Sequence, residues 1–256
     1  MEFVKAQGLG NDFVMLVNPD VLANDLSDLS RRLADRRYGI GCDQVIVAHE
    51  INDRINVRFF NADGSEAESC GNGSRCIAKY LMDQKQQSTI TIETLGGILN
   101  CQLEDDMVTI QMPTPTVEIL DGPQSLGHLS TPDAVAVNVG NPHLVCFVEN
   151  IDSVSSYGEG LENHPAFPLR TNVDFVKILD SGHIQLKVWE RGTGITPACG
   201  SGACASVVAA YAHKKVDQKT KVSQAGGDLW IQWDGQKLYM TGPAVIVFTG
   251  TFFYKS

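Results

Sequence analysis

Apolar and polar positions alternate in short runs along most of this chain, and the runs fall into two similar series. In the first half, residues 13–17, 43–47, 57–60 and 89–94 read as strands, the last through its Ile90/Ile92 alternation. Residues 30–37 (Ser-Arg-Arg-Leu-Ala-Asp-Arg-Arg) read as a helix ended by Gly39. Residues 99–103 and 108–112 flank Glu104-Asp105-Asp106 and predict a hairpin. Met112-Pro113-Thr114-Pro115-Thr116 then interrupts regular structure and is the natural domain boundary. The second half repeats the theme, with strands expected at 135–139, 144–148, 173–178 and 184–189. The polar, proline-containing stretch 150–169 suits a loop with a short helix. Leu229, Ile231 and Trp233 alternate before an Asp234-Gly235 turn and a strand over 238–241. The expected class is α/β (α+β-like), with two pseudo-symmetric units of mixed, mainly antiparallel sheet, residues 1–115 and 116–244.

Each half also contains a cysteine, a tight glycine turn and then a helix. Cys70-Gly71-Asn72-Gly73-Ser74 leads into a run with apolar residues at 77, 78, 81 and 82, and Cys199-Gly200-Ser201-Gly202-Ala203 leads into Cys204-Ala205-Ser206-Val207-Val208. A helix N-terminus carries unpaired backbone N–H groups and partial positive charge. A thiol placed there is drawn toward the thiolate, and a carboxylate can be bound beside it.

The repeat extends upstream of the cysteines. Asn11 precedes Cys70 by 59 residues (70 − 11) and Asn141 precedes Cys199 by 58 (199 − 141). Gln44 follows Asn11 by 33 (44 − 11), and Asn172 follows Asn141 by 31 (172 − 141). A strand leading into Asn61 precedes the first cysteine, and one leading into Glu190 and Arg191 precedes the second. Taken singly, Asn11, Asn61 and Asn172 suit turns and helix caps. Their matched places in a duplicated unit point instead to a site built twice.

Composition narrows the setting. A net charge of −10 argues against a general nucleic-acid or anionic-membrane surface. No apolar run approaches the roughly 20 residues needed to span a bilayer, and residues 1–7 lack a secretory pattern, so a cytoplasmic location is expected. Seven scattered cysteines fit free thiols in a reducing compartment. Their local spacings, C-x5-C and C-x4-C, are not those of zinc knuckles, so no metal site is expected.

Three chemistries use a pair of reactive cysteines. Thiol–disulfide exchange favours C-x-x-C, whereas Cys70 and Cys199 are 129 residues apart (199 − 70). A Cys–His hydrolase leaves the second motif unexplained. A cofactor-independent racemase or epimerase needs a base on one face of a substrate carbon and an acid on the other, which duplicated half-sites supply. Since the reference thiol pKa is about 8.5, such an enzyme must stabilise the carbanion, which two helix N-termini aimed at the substrate carboxylate would do. The competing readings are a racemase acting on proline or another amino acid, and a redox-sensing or ligand-binding protein that locks its thiols reversibly.

The chain resembles the diaminopimelate epimerase family. The resemblance rests on Gly8-Leu9-Gly10-Asn11-Asp12-Phe13, Gly39-Ile40-Gly41-Cys42-Asp43-Gln44, Phe60-Asn61-Ala62-Asp63-Gly64-Ser65-Glu66, Gly140-Asn141-Pro142-His143, Asn172-Val173, Glu190-Arg191-Gly192, both cysteine motifs and Thr241-Gly242-Pro243-Ala244. It implies a cytoplasmic, cofactor-independent isomerase acting on LL- and meso-2,6-diaminopimelate in lysine and peptidoglycan precursor synthesis. It also implies a homodimer whose two domains each wrap a sheet around a central helix, with the site in the cleft between them. The strand 245–254 is then expected to return to the first domain. Cys70 and Cys199 would be the acid/base pair, Cys70 the donor in one direction and Cys199 the acceptor, while His143 and Glu190 would tune their pKa values. Gly71-Asn72 and Gly200-Ser201 would cradle the reacting carboxylate. Asn11, Gln44, Asn61, Asn141, Asn172, Glu190 and Arg191 would contact substrate, Arg191 as a carboxylate fork. His49, His128, His164, His183 and His213 have no counterpart in the repeat and are read as solvated or structural.

Overall fold

Strand β1 (Glu2–Gly8) turns back into β2 (Asn11–Val17) through Leu9 and Gly10, both in the left-handed region at φ 57° and 83°. That conformation matches the right-handed twist of a two-residue hairpin. The computed structural model describes residues 1–20, 26–52, 54–119 and 134–253. It divides into two compact units, one holding Met1–Ile110 and the segment from Gly242 onward, the other Gln111–Thr241.

The first unit continues with α1 (Leu26–Ala34), β3 (Gln44–Ile51), β4 (Arg54–Asn61), β5 (Glu66–Ala67), α2 (Gly71–Lys85), β6 (Thr89–Thr94), β7 (Gly97–Glu104) and β8 (Met107–Met112). Strands β1–β2 and β3–β4 pair antiparallel, β2–β3 and β4–β6 parallel, and β6–β7–β8 antiparallel. The hairpin between β7 and β8 turns on Asp105 and Asp106, at φ 47° and 63°.

The second unit repeats this plan with β9 (Thr116–Ile119), β10 (Val135–Asn138), β11 (Pro142–Phe147), α3 (Val154–Glu162), β12 (Asn172–Asp180), β13 (His183–Glu190), β14 (Gly194–Thr196), α4 (Gly200–Ala212), β15 (Lys219–Gln224), β16 (Gly227–Trp233) and β17 (Leu238–Pro243). Here β10–β11 and β12–β13 are antiparallel, β11–β12 and β13–β15 parallel, and β15–β16–β17 antiparallel. Strand β9 lies antiparallel to β10, and the last strand, β18 (Val245–Thr251), lies antiparallel to β1 in the first unit. Tyr254, the expected end of that strand, lies outside the described residues. The observed division at 110/111 and 241/242 precedes the expected one, because β8 pairs with β7 only as far as Ile110 against Cys101.

Each sheet has two apolar faces. On the inner face of the first unit, α2 touches β1, β2 and β3 as well as β6, β7 and β18, so strands from both ends of the pairing order meet one helix. The sheet therefore curls around α2, and α4 is contacted in the same way by β10, β11, β12, β13, β15 and β16. On the outer face, Leu26, Leu29 and Leu33 of α1 pack on Val14, Leu16, Val45, Val47 and Phe60. In the second unit, Val154 and Leu161 of α3 pack on Leu144, Cys146, Val173 and Phe175. Strands buried on both faces read as near-continuous apolar runs.

The first helix departs from expectation. It spans Leu26–Ala34 and not 30–37, because Asp35 Oδ1 accepts the N–H groups of Arg37 and Tyr38 and folds that segment into a turn. Strands β1 and β15 were not legible in the pattern. In β15 only Thr220 and Val222 are buried, among lysines and polar residues. Among the described residues no helix is long and apolar enough to cross a membrane.

Close packing of α2 on its sheet makes a sharp stability prediction. A methyl group at Gly73 would sit 3.0 Å from Ile46 and Phe59 and 3.3 Å from Phe13. Gly73→Ala is expected to cost about 1–3 kcal/mol through overpacking. Gly160→Ala, whose methyl meets nothing within 4 Å on α3, is expected to gain about 0.5–1 kcal/mol. Urea denaturation curves of the two variants would test both signs.

Candidate active site

Cys70 caps α2 and Cys199 caps α4 with the same backbone. Both are extended, at φ −147°, ψ 109° and φ −126°, ψ 118°, and each sulfur accepts the N–H three residues on, from Gly73 and Gly202, at 3.4 Å. The first N–H groups of each helix, those of Gly71-Asn72 and Gly200-Ser201, have no intrahelical partner, the arrangement that suits an anion at a helix start.

In the first unit, Asn11 Oδ1 lies 3.8 Å from the Cys70 sulfur. Its amide is oriented by Asp43, whose Oδ2 accepts from Asn11 Nδ2 at 3.0 Å and from the Asp12 N–H at 3.1 Å. Arg36 bridges Asp12 and Asp43, and Lys5 reaches Asp12 and the Gly41 carbonyl. Burial works against the Asp12 charge, but the Arg36 and Lys5 hydrogen bonds hold its carboxyl well below the usual range. Gln44 and Asn61, register partners across β3 and β4, are joined by a 2.8 Å side-chain bond. Asn72 is buried and its Oδ1 accepts from Arg75 at 2.7 Å, so its side chain turns inward and it offers the site its backbone. Arg75 is wholly buried and also donates to the carbonyls of Gly71 and Pro243, fixing the first turn of α2.

In the second unit, the Cys199 sulfur lies 3.4 Å from Ser201 Oγ, and the Cys199 N–H donates to Gln224 Oε1 at 2.8 Å. Ser201 Oγ also receives Asn141 Nδ2 at 3.2 Å and lies 3.0 Å from His143 Nε2. Nδ1 of His143 faces Asp174 Oδ2 at 2.8 Å, with both side chains buried. Asn172 donates to the Pro142 carbonyl and accepts the Arg191 N–H at 2.9 Å. Glu190 accepts from the Thr196 hydroxyl, and exposed Arg191 anchors one guanidinium nitrogen on the Leu169 carbonyl.

The residues expected at the site thus gather within their own unit: Asn11, Gln44, Asn61, Cys70, Gly71 and Asn72 in the first, and Asn141, His143, Asn172, Glu190, Arg191, Cys199, Gly200 and Ser201 in the second. Sequence reasoning missed Asp43, Arg75 and Asp174. Asp174 falls two residues after Asn172, where the repeat puts Ile46 after Gln44, and nothing in the chain marks it or Arg75 as a buried charge. His183 bonds Ser223 at 2.8 Å, and His128 lies outside the described residues.

The thiols differ in environment. Burial pushes Cys199 well up, and the Glu190 and Asp174 carboxylates add to it against the bonds from Ser201 and Gly202. Burial likewise raises Asp174 and Glu190, opposed by their bonds to His143 and Thr196 respectively. Burial lifts Cys42 to about 11 and Cys76 and Cys101 to about 12. Cys70 alone among the seven is not buried. No group of three or more metal-ligating side chains occurs among the described residues.

A family model described as diaminopimelate epimerase matches residues 3–118 and 135–247. The diaminopimelate epimerase of Gluconobacter oxydans is 43% identical over 98% of each chain. Among solved structures, a Bacillus anthracis phenazine biosynthesis protein of the PhzF family has a TM-score of 0.76 over 99% of each chain at 16% identity. A hydroxyproline epimerase from Agrobacterium vitis, solved with bound trans-4-hydroxy-L-proline, has a TM-score of 0.68 at 15% identity, covering 98% of this chain and 91% of its own. At such identities the likeness to the two structures is one of fold.

These environments predict an order of thiol reactivity. Since the thiolate is the nucleophile, iodoacetamide at about pH 8 is expected to label Cys70 at least about tenfold faster than Cys42, Cys76 or Cys101 in reduced native protein. Peptide mapping by mass spectrometry reads the order. Equal rates at all four would contradict it.

Proposed function

The chain belongs to the diaminopimelate epimerase family, and we propose that it interconverts LL- and meso-2,6-diaminopimelate by proton transfer at Cα between two cysteines. The observation that carries the reading is the matched pair of N-cap thiols, each beside the free N–H groups of a buried helix. In this reading the half-sites of Cys70 and Cys199 serve opposite faces of one carbon. One cysteine, as thiolate, removes the Cα proton while the other, as thiol, delivers a proton to the opposite face. The spent pair then holds the reverse protonation pattern, which suits the reverse reaction, so each residue is acid in one direction and base in the other.

The carbanion is the costly species. Its charge spreads into the substrate carboxylate, where the N–H groups of Gly71-Asn72 and Gly200-Ser201 would meet it with the positive ends of two helices. Thiol and thiolate supply both proton-transfer roles, so the scheme calls on no cofactor. Asn11, Gln44, Asn61, Asn141 and Asn172 would orient the amino groups and carboxylates. Arg191 would fork the distal carboxylate. His143 and Glu190 would set the protonation of the cysteines.

The same reading places the protein in the cytoplasm, in lysine and peptidoglycan precursor synthesis, and makes it a homodimer. The exposed apolar side chains of the edge strand β18, Val245, Val247 and Phe248, support the last point.

Incubation of reduced protein with LL-diaminopimelate in D2O, without added cofactor, tests the proposal. Deuterium is expected at Cα together with meso product. Cys70→Ala and Cys199→Ala are each expected to lower kcat by about 10²–10⁴-fold or more, the typical reach of positioned acid–base groups. NMR and chiral chromatography read isotope and configuration. Epimerisation retained by either variant would refute the two-thiol scheme, and no exchange by folded, reduced wild type would refute the substrate.

A further inference from the structure

The two units differ most in what lies beneath their cysteines. Parallel pairing sets Phe13 beside Gln44 in the first unit and His143 beside Asn172 in the second, so the repeat matches Phe13 with His143 and Ile46 with Asp174. Phe13 and Ile46 are wholly buried and apolar, and both press on Gly73 of α2. In their place the second unit buries an ionisable pair, His143 at 1% and Asp174 at 0% exposure. Burying such a pair costs free energy that an apolar pair avoids. Moreover, Asp174 Oδ1 has no hydrogen-bond partner among the described residues. Space for it depends on Gly202, where a methyl group would come within 2.8 Å of that oxygen. A second unit built only for stability has no use for this arrangement.

The pair begins a continuous chain to the thiol. Asp174 Oδ2 to His143 Nδ1 is 2.8 Å, His143 Nε2 to Ser201 Oγ 3.0 Å, and Ser201 Oγ to Cys199 Sγ 3.4 Å. We propose that Asp174 is a positioning residue that holds His143 in its Nδ1–H form, and that the Ser201 hydroxyl relays the Cys199 proton to His143 Nε2. This deepens the epimerase reading and rests on it for its purpose. The donor count closes. Ser201 Oγ accepts from Asn141 Nδ2 at 3.2 Å and from the thiol, and its one proton is left for His143. When Cys199 ionises, its Sγ–H bond breaks and an Oγ–H bond forms, while the original hydroxyl proton passes from Oγ to Nε2. The products are a thiolate and an imidazolium, with no net loss of protons. Asp174 stabilises the imidazolium through Nδ1, and Asn141 Oδ1, 3.3 Å from Nε2, is placed to accept its new N–H. The titratable groups facing Cys199 are Glu190 and Asp174, with His143 beyond Ser201. Both carboxylates oppose a lone thiolate, and the imidazolium that the relay creates compensates it.

The relay and simple electrostatics predict opposite signs for one substitution. If Asp174 were a bystander, Asp174→Asn would remove a repulsive charge and lower the pH at which Cys199 ionises. The relay predicts a rise of about one pH unit, a tenfold smaller thiolate fraction at a given pH, because the imidazolium loses its partner. The measurement is the ultraviolet thiolate absorbance of full-length Cys70→Ala protein across pH, with Cys70→Ala/Cys199→Ala subtracted, before and after Asp174→Asn. A midpoint that falls or stays put overturns the proposal. Should Asp174→Asn fail to fold, Ser201→Ala replaces it. Its midpoint is expected to rise and Ser201→Thr to restore it, and a Ser201→Ala midpoint equal to that of its parent overturns the relay. The titration uses no substrate, so its failure and the failure of the D2O exchange are separate results.

Discussion

A cysteine sulfur that accepts the backbone N–H three residues further on fixes the start of each central helix, and the rest of each unit is arranged around that contact. It needs the cysteine extended and the following residues already helical, so the thiol stands at the positive end of the helix. It also needs glycine at the third helical position. There the helix presses on the inner face of the sheet, against Phe13, Ile46 and Phe59 in one unit and Asp174 and Val188 in the other. A sheet curled around one helix supplies that wall from many strands at once.

On this shared backbone the two half-sites carry different electrostatics. The fifth residue of α2 is Arg75, a buried cation that holds Gly71, Asn72 and Pro243, whereas the matching position of α4 is Cys204. Beneath the first cysteine the sheet is apolar, and beneath the second it holds His143 and Asp174. Cys199 thus sits among groups that oppose negative charge, and Cys70 beside a network of fixed amides ordered by Asp43, Arg36 and Lys5. Duplication gives two equivalent backbones. Divergence of the inward-facing residues gives the two thiols different surroundings.

Environment likewise separates cysteines of two kinds. Cys42, Cys76 and Cys101 are packed as small apolar side chains, and their burial keeps them protonated. Only Cys70 and Cys199 are aimed at backbone N–H groups from helix N-caps. The chemical identity of the residue is the same throughout, and the difference is entirely one of local dielectric and hydrogen bonding.

Much of this was legible in the chain because it rests on local rules. Glycines after each cysteine announce a helix start, alternation announces β6, β13 and β16, and Asp234-Gly235 announces its turn. The offsets of Asn11 and Asn141 from their cysteines, and of Gln44 and Asn172 from those asparagines, agree to within two residues and mark the matched polar positions of the repeat. What the chain could not disclose depends on neighbours distant in sequence. Strand β1 is a strand because β2 and β18 pair with it, and α1 ends at Ala34 because Asp35 captures two later N–H groups. Arg75 and Asp174 read as ordinary charged residues until the fold buries them. Sequence by itself determined the repeat, the two N-cap cysteines and the helices they open, since these follow from spacing and backbone preference. Tertiary structure alone decided which charges lie out of water beside each thiol, because desolvation is a property of the packed surroundings and has no signature in the order of residues.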